Sequence, residues 1–303
     1  MIVRGSQRYK ENIRELWGVC FPNEDKRYVE YYYRNIYNPE YSLLMLEDSR
    51  LTAVLTRIPH EIMFNGRVLK ASMISGIATH PAYRKRGYMT RLMAQCIDEV
   101  SHSELITLIQ TEKPQLYEPF GFEMMYGKYI TTITREDVAR LTNEGCLMDP
   151  SEEDLLKLYA KYTKHFNGYY IRDLSYFIVM KREVAALGGK IFAYYENDEI
   201  QGYAVMMPRG KELYVEECLY LDVKSLYKLL NLALQQRLVA HIYTSDAEDL
   251  SLLFPNAQVV HVSYTMARLN DAELFNRLYQ TEVKNTADLK RVSARPLFIN
   301  ESR

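Results

Sequence analysis

The stretch from Ile74 to Met93 constrains this chain more than any other. An apolar run, read as a strand, ends at Thr79, where Pro81 stops it. The basic turn Arg84-Lys85-Arg86-Gly87 follows, and a helix is predicted to start near Gly87. The first turn of a helix carries N–H groups without intrahelical partners and a partial positive charge, and both favour an anion. Gly87 lets the backbone approach such an anion with no Cβ in between. Arg84, Lys85, Arg86 and Arg91 add positive charge around it. Alone, a basic run of this kind is a solvated turn. Between a Pro-stopped strand and a helix it reads as a place to hold phosphates.

The 303 residues exceed one typical domain and predict two, each large enough for its own core. A formal net charge of −1 argues against a general nucleic-acid or membrane surface. The 26 tyrosines read as half-buried strand and helix faces before any aromatic ligand cage. Cys20, Cys96, Cys146 and Cys218 are scattered with no Cys-x-x-Cys pair, which fits reduced thiols and no zinc site. The N-terminus has no signal-peptide pattern, and no apolar run reaches the roughly 20 residues of a membrane span. The expectation is a cytoplasmic protein with no metal, nucleic-acid or membrane partner. Homo-oligomerisation stays open.

Taken in order, residues 1–4 read as a strand, 8–20 as a helix, and a Tyr-rich helix runs to Asn35. Leu43–Glu47 and Leu51–Pro59 read as strands joined at Asp48–Arg50. Glu61–Phe64 and Val68–Thr79 form another pair around Asn65-Gly66, the strongest hairpin signal in the chain. A helix spans 87–101, and Leu105–Gln110 suits a buried strand. A Tyr-bearing segment to Phe122 follows, and strands through Thr134 are expected to finish the first domain. Ser151 before three acids is a helix start. Helices near 151–166 and 173–187, strands at 190–196, 200–207 and 212–220, a helix at 222–237, a strand at 239–244, a short helix at 247–254 and a strand at 258–268 repeat the order of the first half. A helix at 271–281 and a last strand at Pro296–Asn300 complete the reading.

The turn Arg84-Lys85-Arg86-Gly87-Tyr88-Met89 resembles motif A of the GNAT (Gcn5-related) N-acetyltransferases, with Met89 where that pattern has Gly or Ala. Tyr117-Glu-Pro-Phe-Gly-Phe122 resembles their last block, in which a Tyr four residues before the Gly is the general acid. The resemblance implies an α/β (α+β) fold of two tandem GNAT-like domains, each a mixed, mostly antiparallel sheet flanked by helices. Residues 1–145 would be the catalytic domain. Residues 146–303 would be a degenerate second domain, because Leu219–Leu226 stands where the Gly turn should be, with a short C-terminal helix and strand after it. Such a tandem is similar to the Eis-type (enhanced intracellular survival) acetyltransferases. Their further sterol-carrier-like domain is not expected in the short stretch after Leu269, and their terminal carboxylate, here that of Arg303, can return to the active site.

The implied activity is transfer of an acetyl group from acetyl-CoA to a primary amine of a small molecule or peptide. Ile77, Ala78 and Thr79 would align the pantetheine arm as an added strand. Arg84, Lys85, Arg86, Gly87, Tyr88, Met89 and Thr90 would hold the pyrophosphate. Tyr117 would protonate the leaving thiolate, and Glu112 would receive the amine proton through water. His80 is the second candidate base, and His60 and Glu61 are candidates for the acceptor side. Two alternatives stay open: a non-catalytic acyl-CoA-binding sensor or scaffold, and an acyltransferase using another acyl donor.

Overall fold

In the computed structural model, which describes residues 1–301, the elements run in the following order. They are β1 (Ile2–Arg4), α1 (Lys10–Cys20), α2 (Lys26–Asn35), β2 (Ser42–Glu47), β3 (Arg50–Phe64), β4 (Arg67–Thr79), α3 (Tyr88–Ser101), β5 (Ile106–Gln110) and β6 (Glu123–Thr134). After them come β7 (Cys146–Met148), α4 (Glu152–Thr163), β8 (Tyr169–Tyr170), α5 (Leu174–Ala186), β9 (Lys190–Glu196), β10 (Glu199–Arg209), β11 (Glu212–Tyr220) and α6 (Val223–Gln236). The last are β12 (Val239–Ser245), β13 (Gln258–Leu269), α7 (Ala272–Tyr279) and α8 (Asp288–Val292). Two compact units result: Met1–Met125 with Tyr264–Ser293, and Tyr126–Ser263 with the residues from Ala294 onward. Arg303 lies outside the described residues.

The sheet of the first unit has the order β1-β2-β3-β4-β5-β13. Its pairs are antiparallel except β4 with β5. The parity of β2 decides which helix covers which face. Leu43 and Met45 face α3, whose Leu92, Met93 and Cys96 are fully buried. Leu44 faces the other way, onto Ile13 and Leu16 of α1 and Tyr32 and Tyr33 of α2. Residues 50–64 are one strand, not two broken at Pro59. β2 pairs with β3 no further than Thr56, so Pro59 removes no donor that β2 needs.

The second unit repeats this plan in the order β7-β9-β10-β11-β12-β6, with β11 and β12 its parallel pair. Leu226, Leu229, Leu230 and Ala233 of α6 pack on one face, against Ala204 and Met206 of β10. Tyr203 and Val205, of opposite parity, pack under α4 and α5. The expected finishing strands are exchanged. β6 pairs with β12 through Lys128–Thr134, and β5 instead takes Thr265–Leu269 of β13. Residues 296–300 are not a ladder strand; they make one isolated bridge, Asn167 to Leu297.

One extra residue shapes the first unit. Thr56 stands opposite Ser75 and Val54 opposite Ala78, so Gly76 and Ile77 share the place across from Leu55. This is a β-bulge, and it bends β4. β5 pairs with β4 only over Ala71–Ile74 and ends at Gln110, whereas β4 runs on to Thr79, so β4 beyond the bulge has no β5 residue beside it. Gly76 has φ +59°, and an added Cβ would lie 2.6 Å from the Trp17 indole. Gly76→Ala should therefore cost about 2–4 kcal/mol through strain and clash. Urea unfolding followed by fluorescence checks this, because Trp17 is the only tryptophan in the chain.

Candidate active site

The residues singled out by sequence, His60 and Glu61 apart, fall at one end of the first unit's sheet. β4 delivers Ile77, Ala78 and Thr79, and the chain then makes a short turn at Pro81–Tyr83. Lys85 at φ +62° and Gly87 at φ +75° fold the backbone back into α3. Gly87 is the N-cap of α3 and supplies no side chain to its N–H groups. The first amide bonded into the helix is that of Arg91, which donates to the Gly87 carbonyl at 3.0 Å. The N–H groups of Tyr88, Met89 and Thr90 therefore have no acceptor within the helix. No atom lies within 4 Å of the position a Cβ on Gly87 would take. The turn is an open concavity of N–H donors at the positive end of a helix, the arrangement that binds oxyanions.

The corresponding position in the second unit is already filled. The N-cap of α6 is Asp222, whose carboxylate accepts from the Ser225 N–H at 2.7 Å and its hydroxyl at 2.8 Å. An internal carboxylate there takes the place that an external anion would need. The missing Gly turn and this resident anion are one sequence difference seen twice.

The basic side chains around Gly87 are individually steered. Arg84 donates from Nε to the Thr79 carbonyl at 3.2 Å. Cys20 in α1 shares that acceptor through its thiol at 3.4 Å, and burial pushes the thiol's pKa up. Arg86 lies over the Tyr83 ring at 5.0 Å and reaches the Glu47 carboxylate at 3.3 Å. The Tyr88 hydroxyl donates to the same carboxylate at 2.5 Å. Glu47 thus ties down both residues flanking Gly87. Nothing in the local sequence marks Glu47, since it is brought to the turn by the β2–β3 hairpin. Gly76 does carry a local signal, because an isolated Gly in a strand pattern marks a bulge.

Tyr117 lies between two short 3₁₀ turns, Pro114–Leu116 and Glu118–Phe120, not on a helix. It packs against the core under α3, with its ring centroid 6.5 Å from that of Phe122. Burial raises the pKa of its phenol, and a hydrogen bond from Thr111 pulls weakly the other way. Gly121, at φ +80°, turns the chain into β6 and sits against Arg268, which donates to the Phe120 carbonyl at 3.0 Å. Glu112 is exposed just beyond β5. His80 spends its Nδ1 accepting from the Ala82 N–H at 3.3 Å, which is a turn-forming role. Glu61 stands opposite Lys70, and His60 opposite Ala71, in the β3–β4 ladder. That ladder segment lies beyond the bulge from the turn, so Glu61 and His60 are not gathered with Gly87. Among the described residues no three His, Cys, Asp or Glu side chains come together as metal ligands, and no helix is long and apolar enough to cross a membrane.

Because Glu47 competes for Arg86, Glu47→Gln should tighten binding of inorganic pyrophosphate severalfold. The gain should shrink at high ionic strength, where exposed charges are screened. Calorimetric titration at low and high salt checks both.

Residues 4–125 match the family model described as Acetyltransferase (GNAT) domain. No curated protein matches the chain. Among solved structures, a probable N-acyltransferase from Enterococcus faecalis superposes with a TM-score of 0.80 at 18% identity, covering 92% of this chain and 74% of that one. A GCN5-related N-acetyltransferase from Anabaena variabilis gives 0.76 at 17% identity, covering 89% and 73%. Eis1 from Mycobacterium abscessus gives 0.70 at 15% identity, covering 90% and 75%. The match over residues 4–125 supports a transferase, with acyl transfer as its general chemistry.

Proposed function

We propose that the protein transfers an acetyl group from acetyl-CoA to a primary amine of a small molecule or peptide. The first unit carries the chemistry and the second carries none, in the tandem manner of the Eis-type enzymes. The observation that carries this reading is the open N–H concavity at Gly87 placed beside a strand end that outruns its neighbour β5, in the stretch that matches an acetyltransferase domain. The turn Arg84–Thr90 holds the pyrophosphate, and β4 beyond the bulge, at Ile77–Thr79, holds the pantetheine arm through main-chain bonds. The four cysteines are free, which fits a reducing, cytoplasmic setting.

In the reaction the neutral amine attacks the thioester carbonyl, a C–N bond forms, and the C–S bond breaks. The departing sulfur takes a hydrogen bond and then the proton from the Tyr117 phenol. The amine sheds one proton through water to Glu112, and that proton returns through water to the Tyr117 phenolate. A phenol whose pKa is raised above its ordinary value of about 10 stays protonated throughout the neutral range. It therefore remains a donor wherever the amine is also free.

Two substitutions test this. Gly87→Asn and Gly87→Asp both tolerate a left-handed residue and are nearly isosteric, so their difference isolates charge. Acetyl-CoA binding should survive better in Gly87→Asn and be lost in Gly87→Asp; equal binding in both would place the cofactor elsewhere. Tyr117→Phe should keep acetyl-CoA affinity and lower kcat by about 10²–10⁴-fold. The wild-type rate should fall only as pH rises through the raised Tyr117 pKa, above about 10, because ionisation removes the donor. That alkaline limb should be absent from the residual activity of Tyr117→Phe. Retained turnover in Tyr117→Phe would remove the phenol from the mechanism.

A further inference from the structure

The second unit has a strand divergence, and the chain's last described residues fill it. β11 and β12 are paired only where Leu213–Val215 meets Ala240–Ile242, yet β11 runs on to Tyr220 and β12 to Ser245. Leu297, Phe298, Ile299, Asn300 and Glu301 are all buried, none more than 8% exposed, after an exposed approach at 294–296. Both walls of the gap are touched. The Ser245 hydroxyl donates to the Leu297 carbonyl at 3.3 Å, and the Asn300 amide donates to Glu217 on β11 at 2.8 Å. The space left between them is about 10 Å³, lined by Lys128, Cys218, Tyr243 and Ser245 with Phe298 and Asn300. That is the lower limit for a single water.

The contacts are those of a bound peptide. The main chain is held at two points, where Asn167 N–H donates to Pro296 O and Phe298 N–H to Asn167 O, each at 2.8 Å. Phe298 is an aromatic anchor, 5.4 Å from the Tyr162 ring and 5.3 Å from that of Phe166. The Asn300 carbonyl accepts from Arg172 at 2.8 Å, and Glu301 accepts from the Tyr176 hydroxyl at 3.1 Å. Main-chain bonds with an aromatic pocket and polar end contacts are how a cleft recognises an extended segment. One buried ion pair of the cleft does not depend on the occupant. Arg172 meets Glu217 bidentately at 2.8 and 2.9 Å, and Glu217 takes a further bond from Tyr203 at 2.6 Å. Withdrawal of the segment therefore leaves Arg172 and Glu217 paired with each other.

We propose that the second unit is a peptide-binding cleft whose ligand is the chain's own segment Pro296–Glu301, seated as a displaceable strap. While seated, it closes the cleft to every other extended ligand. That this gap corresponds to a cofactor cleft in the first unit rests on the function proposed above; the peptide contacts do not.

The test uses the full chain with a protease recognition sequence inserted between Ser293 and Ala294, cleaved after folding. The freed fragment should stay with the protein on gel filtration and exchange with excess dye-labelled peptide of the sequence Ala294–Arg303. Labelled peptides carrying Phe298→Ala or Asn300→Asp, the latter setting a carboxylate against Glu217, should bind at least about tenfold more weakly. Loss of fold on cleavage, seen by circular dichroism, would overturn the proposal. So would exclusion of the label from a folded protein, or equal binding of wild-type and variant peptides. Acetyl-CoA titration of the uncleaved chain reports separately: failure there removes the cofactor reading and leaves the peptide result standing.

Discussion

The bulge at Gly76 is the constraint on which the rest of the first unit depends. A strand paired on both sides offers a ligand no backbone, because its N–H and C=O groups are already used. The chain inserts one residue opposite Leu55 just past the point where β5 stops, so β4 bends there and its end runs on free of that neighbour. Only glycine accommodates this, since the backbone is left-handed there and the Trp17 ring occupies the side-chain position. The packing of α1 against the sheet and the bend in β4 are therefore one arrangement.

Electrostatics then decides what the opening holds. The end of β4 runs into a turn whose two left-handed residues, Lys85 and Gly87, aim a helix N-terminus outward. The positive charge is tempered, because Glu47 occupies Arg86 and the Thr79 carbonyl occupies Arg84. These are surface contacts worth little in stability. Their effect is on orientation: they hold flexible side chains beside the concavity and out of it.

The two units show how one architecture is turned to different uses by its occupants. In the first, α3 begins at a glycine with no capping side chain. In the second, α6 begins at an aspartate that caps it. In the first, β4 runs on past the end of β5. In the second, β11 and β12 part around Phe298 and Asn300. The repeat of strand order survives because the sheet needs the same alternation of buried faces in both.

What could be read in the chain was whatever nearest neighbours dictate. Asn65-Gly66 makes a hairpin because both residues accept positive φ, and Ser151 starts a helix because its hydroxyl takes the Asp154 N–H. The basic turn at Gly87 and the helix after it follow from the same local physics, as does the general α/β class. Contacts distant in sequence were decided only by tertiary packing. β6 and β13 are both 12-residue strands, so element type and length alone do not say which of them β5 accepts. Glu47 reaches Tyr88 across 41 residues, and Asn300 reaches Glu217 across 83. A short-range pattern carries no trace of such a partner. Its cost is the entropy of closing the loop, and only the assembled core repays it.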